Sequence, residues 1–282
     1  MLSWKNDLET SLNFRSFLNG ISKAWACFST ISDSTRKSTI YQGDGIRIFI
    51  PMMEKIPSNA DKAIKEVISQ RKTTKVLAEA PWSPTLTPKA QHSLINGLLE
   101  LASSAPYHYK SGERYKRGDL TSTLPFRAYT LNANNCRILA DRLDEVQPPA
   151  GKIMNMLWAA EAMIVMSWLP DVFGEQPEVR EMEPLPFTGN LRNMEHIAAA
   201  SAAIQNILLG ATAAGHPSYW SSGGTLRQRE ARTLLGIPMD EIFLGCLFVF
   251  PEDALERGAD VKLGKLRTEG KELSSWSKSI EL

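Results

Sequence analysis

Arg71-Lys72-Thr73-Thr74-Lys75 places three cations and two hydroxyls within five residues. That combination suits a phosphate, because the charges attract it and the hydroxyls direct hydrogen bonds to it. The same run also reads as the solvated end of a helix. Ser221-Ser222-Gly223-Gly224, behind Trp220, is a second candidate. Glycines there let backbone amides approach a flat ligand closely, although a plain tight turn has the same composition. His108, two residues after Pro106, is a polar ring donor at a helix end or an ordinary structural histidine. Other chemistry is poorly provided for. The chain has no G-x-x-x-x-G-K-S/T phosphate loop, no G-x-G-x-x-G, no H-E-x-x-H and no G-x-S-x-G elbow. His92, His108, His196 and His216 lack ligand spacing, so no metal site is expected.

The elements that must hold these residues follow from periodicity. Ser58 or Asn59 can cap a helix from Ala60, on which Ala60, Ala63, Ile64, Val67 and Ile68 form one stripe ending at Arg71. Thr87-Pro88 opens a second helix that buries Leu94, Leu98, Leu101 and Ala102 and stops near Pro106. Tyr107 to Thr123 is polar and reads as a surface loop, its Lys110, Arg114, Lys116 and Arg117 outnumbering Glu113 and Asp119 by two. Strands are expected over Ile46 to Ile50, Phe126 to Leu131, Ala162 to Leu169 and Ile242 to Phe250. Further helices are expected over Cys136 to Val146, Asn193 to Ala214 and Leu226 to Leu235. Gly215 stands where the long helix needs a left-handed residue. That helix is apolar around most of its circumference, so burial on two sides is expected, with a subunit interface as one way to achieve it. Pro251 to Leu282 is polar and without period. The pattern indicates an α+β or α/β sandwich, one sheet with helices on its faces.

With 282 residues, 43% hydrophobic and 22% charged, the chain is composed like an ordinary globular protein. A net charge of +1 gives no overall attraction to nucleic acid or anionic membrane. Cys27, Cys136 and Cys246 are widely spaced and odd in number, which argues against a disulfide framework and for a reducing compartment. No uninterrupted apolar run approaches the ~20 residues of a membrane span, and the amino terminus lacks a secretory pattern, so a cytoplasmic location is expected. Residues 1–57, rich in Ser, Thr and Asn, read as an extension that could be poorly ordered, or as leader upstream of a start at Met52 or Met53. Residues 58–282 read as the functional domain.

The order of these pieces resembles the FMN-dependent nitroreductase family, in particular its small branch with an A-P-x-H motif. Arg71 to Lys75 resembles the family's R-R-S-x-R, and Ala105-Pro106-Tyr107-His108 resembles A-P-x-H. Pro125-Phe126-Arg127-Ala128 resembles P-W-R-F, here separated from the preceding motif by residues 109–124. Ala203 to Leu209, Tyr219 to Gly223, Leu234 to Pro238, and Gly245 with Phe248 to Pro251 continue the series, with Phe250 where glycine is usual.

The resemblance implies a three-layer α+β sandwich, a mostly antiparallel central sheet covered by helices, with a carboxy-terminal arm. It implies a homodimer with two FMN sites at the subunit interface. Arg71 and Thr73, assisted by Lys72 or Lys75, would hold the FMN phosphate. Lys265 and Arg267, placed like the family's K-x-R, would complete that shell. His108 would contact the isoalloxazine or ribityl chain, and Trp220, Ser221, Ser222 and Gly223 would present amides near the ring. The implied activity is ping-pong transfer of hydride from NAD(P)H through the flavin to a nitroaromatic, quinone or similar small-molecule acceptor, with no protein catalytic residue. Two alternatives stand beside it: a flavin-binding or FMN-consuming protein without general reductase turnover, and a non-enzymatic interaction module using the basic loop Lys110 to Arg117.

Overall fold

Met163, Val165, Cys246 and Phe248 lie in one hydrophobic cluster and Ile164, Met166, Leu247 and Val249 in another. This alternation is what two strands covered on both faces produce, and it explains why their sequences are apolar almost without interruption. The strands are β5 (Ala162–Trp168) and β7 (Ile242–Val249), numbered along the chain in a computed structural model that describes residues 39–43, 46–50, 57, 59–146, 151–171, 187–264 and 271–281.

The chain divides into two compact units, Met1–Ser58 and Asn59–Leu282. In the first, β1 (Thr39–Gly43) pairs antiparallel with β2 (Ile46–Ile50), Thr39 opposite Ile50. The expected strand is present. Its partner escaped the sequence reading because TIYQG has little apolar content.

In the second unit, β4 (Phe126–Asn132), β5, β7 and β6 (Ser218–Ser221) form a four-stranded sheet in the order β4-β5-β7-β6, every pair antiparallel. On one face lie α3 (Ala133–Val146) and α4 (Gly151–Ala159), contributing Leu139, Leu143, Met156 and Leu157. On the other lie α2 (Pro88–Ser103) and α5 (Leu191–Ala213), contributing Leu98, Ala102, Ala203, Ile204 and Ile207. The expected three-layer α+β sandwich is therefore the architecture, and its sheet is antiparallel.

The capping arguments hold in part. The Thr87 hydroxyl accepts from the Ala90 amide at 3.3 Å, and Gly215 closes α5 with φ 84°. Asn190, not anticipated, caps the start of α5 by accepting from Asn193 at 2.8 Å. At α1 (Ala60–Gln70), however, Asn59 makes no side-chain cap, and Ser58 lies outside the described residues. The α1 stripe is only partly covered: Ala60, Ala63 and Val67 are half-buried, whereas Ile64 and Ile68 are exposed. On α2 the buried face is rotated, with Ile95 inside and Leu101 exposed. The expected helix Leu226 to Leu235 is two pieces, a 3-10 turn at Gly224–Arg227 and α6 (Arg229–Leu234), because Gln228 between them is extended.

Besides β1, further elements were not anticipated, β6 among them. α4 follows Pro148 and Pro149 and begins at Gly151, in a stretch to which the sequence assigned no element. β3 (Thr74–Leu77) and β8 (Asp260–Leu263) pair antiparallel, Thr74 opposite Leu263. The remaining helix, α7 (Leu273–Trp276), buries none of its residues. By length and composition α5 would pass for a membrane span, although no such uninterrupted run stands out in the sequence. Nine of its residues are buried between α2 and the sheet, which accounts for its broad apolar surface and for the expected two-sided burial.

Candidate functional site

The Arg71 to Lys75 run is where a helix becomes a strand. α1 stops because Arg71 leaves helical geometry (φ −57°, ψ 117°) while its amide still donates to Val67 at 2.9 Å. Two residues later Thr73 forms a single parallel bridge with Ser218, the first residue of β6. The Gly264 amide, just past β8, donates to the Thr73 carbonyl at 2.9 Å. Gly264 must lack a side chain for this approach, since a Cβ there would lie 2.9 Å from that of Thr73. One residue of the basic run thus touches both the strand leading to the Ser-Gly bend and the chain entering the carboxy-terminal segment.

Lys75 and Lys262 face each other across β3 and β8, a pairing that like charges disfavour. Each finds a separate partner: the Lys75 ammonium sits 4.8 Å from the centre of the Tyr219 ring, and Lys262 pairs with Asp260 at 3.0 Å. Lys72 is exposed and lines a groove of about 400 Å³ with Gln70, Thr74, Gly215, His216 and Ser218. His216 is fixed there by an Nδ1 contact to the Phe250 carbonyl at 2.9 Å. The Ser218 hydroxyl is buried and has no hydrogen-bond partner among the described residues. A buried unpaired hydroxyl costs about 1–3 kcal/mol and calls for an explanation.

β6 carries the chain from this groove to the bend, three residues and roughly 10 Å away. Trp220 lies against Gly245 of β7, where a Cβ would come 2.4 Å from the indole nitrogen. After Ser221 the chain turns at Gly223 (φ 108°) and Gly224 (φ 51°), conformations that favour glycine. The Gly223 amide donates to the Ser221 hydroxyl at 3.1 Å, so this amide is held within the bend. Gly223 is flanked by the Phe243 ring and the stem of Arg227, 2.5 and 3.2 Å from where a Cβ would stand. The Arg227 guanidinium donates to the carbonyls of Ser222, Phe243 and Leu244, tying the bend to β7.

His108 is elsewhere. Its exposed ring pairs through Nδ1 with Glu195 at 2.7 Å, near the start of α5. The groove adjoins the other end of that helix, eighteen residues on at Ala213, a separation of roughly 27 Å along the axis. Within one chain His108 is therefore apart from the groove that Lys72 and Thr74 line. Lys265 and Arg267 lie outside the described residues.

The basic loop 109–124 is folded onto its own chain. Arg117 forks onto the Asp240 carboxylate, Lys116 pairs with Glu113, and Arg114 and the Tyr115 hydroxyl both donate to the Pro170 carbonyl at 2.7 Å. Buried Arg127 serves the carbonyls of Tyr115, Ser122, Leu124 and Phe126, so the residue that resembles the Arg of P-W-R-F organises this loop. Beside it, buried Glu241 accepts from Tyr129 at 2.9 Å and from Ser167. Burial pushes its carboxyl above the ordinary range. Cys136 and Cys246 are buried, and desolvation pushes both thiols up to about 12, which makes them poor nucleophiles. Among the described residues no group of three or more His, Cys, Asp and Glu side chains could hold a metal.

Sequence reasoning missed Ser218, Arg227 and Gly264. A lone Ser, Arg or Gly carries no signal; their meaning comes from the strand pairing that puts Ser218 and Gly264 beside Thr73 and from the fork of Arg227.

No family model matches the chain, and no curated protein does. Among solved structures it is similar to a nitroreductase-like family protein from Bacillus cereus, with TM-score 0.49 and 20% identity over 81% of this chain and 99% of that one. It is similar also to a putative nitroreductase in complex with FMN from Desulfovibrio desulfuricans, with TM-score 0.39 and 20% identity over 66% and 84%. A nitroreductase with bound FMN from Bacteroides fragilis gives TM-score 0.39 and 18% identity over 66% and 87%.

Proposed function

We propose that this chain is an FMN-dependent oxidoreductase of the nitroreductase type, passing hydride from NAD(P)H to a nitroaromatic, quinone or similar acceptor. The observation that carries the reading is the meeting at Thr73 of the basic run, the strand leading to the Ser-Gly bend and the chain that enters the segment with Lys265 and Arg267. The residues fit the group. A phosphate dianion needs several cations when it leaves water, and the groove beside Thr73 offers Lys72 together with the unpaired Ser218 hydroxyl. Arg71 and Thr73, with Lys72 or Lys75, hold the phosphate; Lys265 and Arg267 add charge from the following segment. The ring lies about one short strand away, beside Trp220, Ser221, Ser222 and Gly223.

FMN, when bound, supplies the reversible hydride chemistry. This chain's part is to hold the phosphate, set the ring edge against a rigid bend and leave one slot that NAD(P)H and the acceptor occupy in turn.

His108 pairs near the start of α5 while the groove adjoins the other end of that helix, so we assign its flavin contact to another copy of the chain. The reading therefore includes a homodimer with sites shared between subunits. Ile64 and Ile68 on α1, Leu191 and Met194 on α5, and Leu273 and Trp276 on α7 are exposed apolar residues that such an interface would cover. A cytoplasmic location completes the reading.

The test is a visible spectrum of the purified protein, a titration of the apo-protein with FMN, and steady-state reduction of a quinone with NADH and NADPH. Bound flavin and turnover are expected. A protein that stays colourless and takes up no FMN overturns the proposal, and flavin bleached by NADPH without quinone turnover replaces it with the flavin-binding alternative.

A further inference from the structure

The bend at Ser221 to Gly224 is held by one side chain that the proposed function leaves without a role. Arg227 lies at the end of the 3-10 turn Gly224–Arg227 and folds back over it. Its Nε donates to the Ser222 carbonyl inside the bend, and its two terminal nitrogens donate to Phe243 at 2.9 Å and Leu244 at 3.1 Å on β7. The guanidinium also stacks 5.2 Å from the centre of the Phe243 ring. In a trans peptide the carbonyl and amide point opposite ways. The fork thus turns the Ser222 carbonyl toward Arg227 and the Gly223 amide toward the Ser221 hydroxyl. Phe243 on one side and the Arg227 stem on the other flank Gly223, so that a side chain there would collide with both.

The fork uses neutral carbonyls only. Among the described residues no carboxylate lies within ion-pair distance of Arg227, whereas Arg117, Arg192 and Arg257 each have one. Among the described residues this positive charge beside the bend thus has carbonyl partners rather than a carboxylate, and three hydrogen bonds hold it in place. A preorganised charge of this kind favours whichever form of a neighbouring group carries more negative charge.

We infer that Arg227 is a positioning residue of the flavin site: it locks the Ser222–Gly223 peptide against the ring edge and makes the site prefer reduced FMN over oxidised FMN. This rests on the proposed function, which assigns the ring to the bend.

Two variants separate the lock from the charge. Arg227→Gln removes the charge and Arg227→Lys keeps the charge but loses the planar fork. Each apo-protein is titrated anaerobically with oxidised FMN and with dithionite-reduced FMN, and the spectrum of the bound oxidised form is recorded. Expected for Arg227→Gln is oxidised-FMN affinity within about threefold of wild type and reduced-FMN affinity weaker by roughly tenfold. Expected for Arg227→Lys is a bound-flavin absorption band shifted from wild type, with most of the preference for reduced FMN retained. Equal weakening of both forms, or of neither, in Arg227→Gln overturns the electrostatic role. An unchanged spectrum in Arg227→Lys overturns the lock, and should Arg227→Gln not fold, this second variant decides. Wild-type protein that binds neither form of FMN overturns the proposed function itself, and the inference with it.

Discussion

Thr73 and Ser218, 145 positions apart in the chain, lie side by side in a single parallel bridge. Parallel neighbours need a long crossover, and here the crossover is most of the domain, including both helical layers. The bridge is what brings the basic run to the foot of the strand that ends in the Ser-Gly bend.

Arg71→Ala removes a half-buried cation at the end of α1. FMN binding is expected to weaken by about 1.5–3 kcal/mol, roughly tenfold to 150-fold, the range for hydrogen bonds to charged groups. Quenching of flavin fluorescence on titration measures it, and unchanged affinity rejects the phosphate assignment.

Ser218→Ala separates a ligand role from a structural one. The hydroxyl is buried with no partner among the described residues, so its removal is expected to leave the melting temperature of the apo-protein unchanged or slightly raised. If the hydroxyl serves the phosphate, FMN affinity falls at the same time by about 0.5–1.5 kcal/mol. A variant that melts earlier and binds FMN normally contradicts both expectations.

Gly223→Ala meets two obstacles, a φ of 108° and a Phe243 carbon 2.5 Å from the new Cβ. A loss of about 1–3 kcal/mol is expected. Thermal melting of the apo-protein measures the cost, and a melting temperature equal to wild type would show that the bend relaxes freely.

Glu241 sets a pH dependence. Burial raises its folded-state pKa above the unfolded value, so between the two the folded protein holds more protons than the unfolded chain. The contribution to stability is fully present below the unfolded pKa and is lost as pH rises through the folded one. Wild-type melting temperature is therefore expected to decline over that window relative to Glu241→Gln, which keeps groups able to bond Tyr129 and Ser167 without titrating. Parallel melting curves for the two proteins across that range would refute this.

Much of the frame was legible because local rules apply to it. Thr87 capped its helix, Gly215 closed α5, and the continuous apolar runs of β5 and β7 announced strands covered on both faces. Where the reading slipped, local signal was absent or ambiguous. On α2, Leu94, Ile95, Leu98 and Leu101 offer two overlapping apolar faces, and only the packing against α5 chose the one with Ile95. β8 has a polar sequence because three of its four residues are exposed, so nothing in its pattern announced a strand.

The candidate site divides the same way. Side-chain chemistry is written in the sequence: the cations and hydroxyls of Arg71 to Lys75, the permissive glycines after Ser222, and the resemblance that joined them. Proximity is not, because it depends on strand pairing between segments far apart in the chain, and pairing is selected by burial on both sheet faces together. The tertiary structure alone put Ser218 and Gly264 against Thr73, set His108 at the far end of α5, and turned Arg227 back onto the bend.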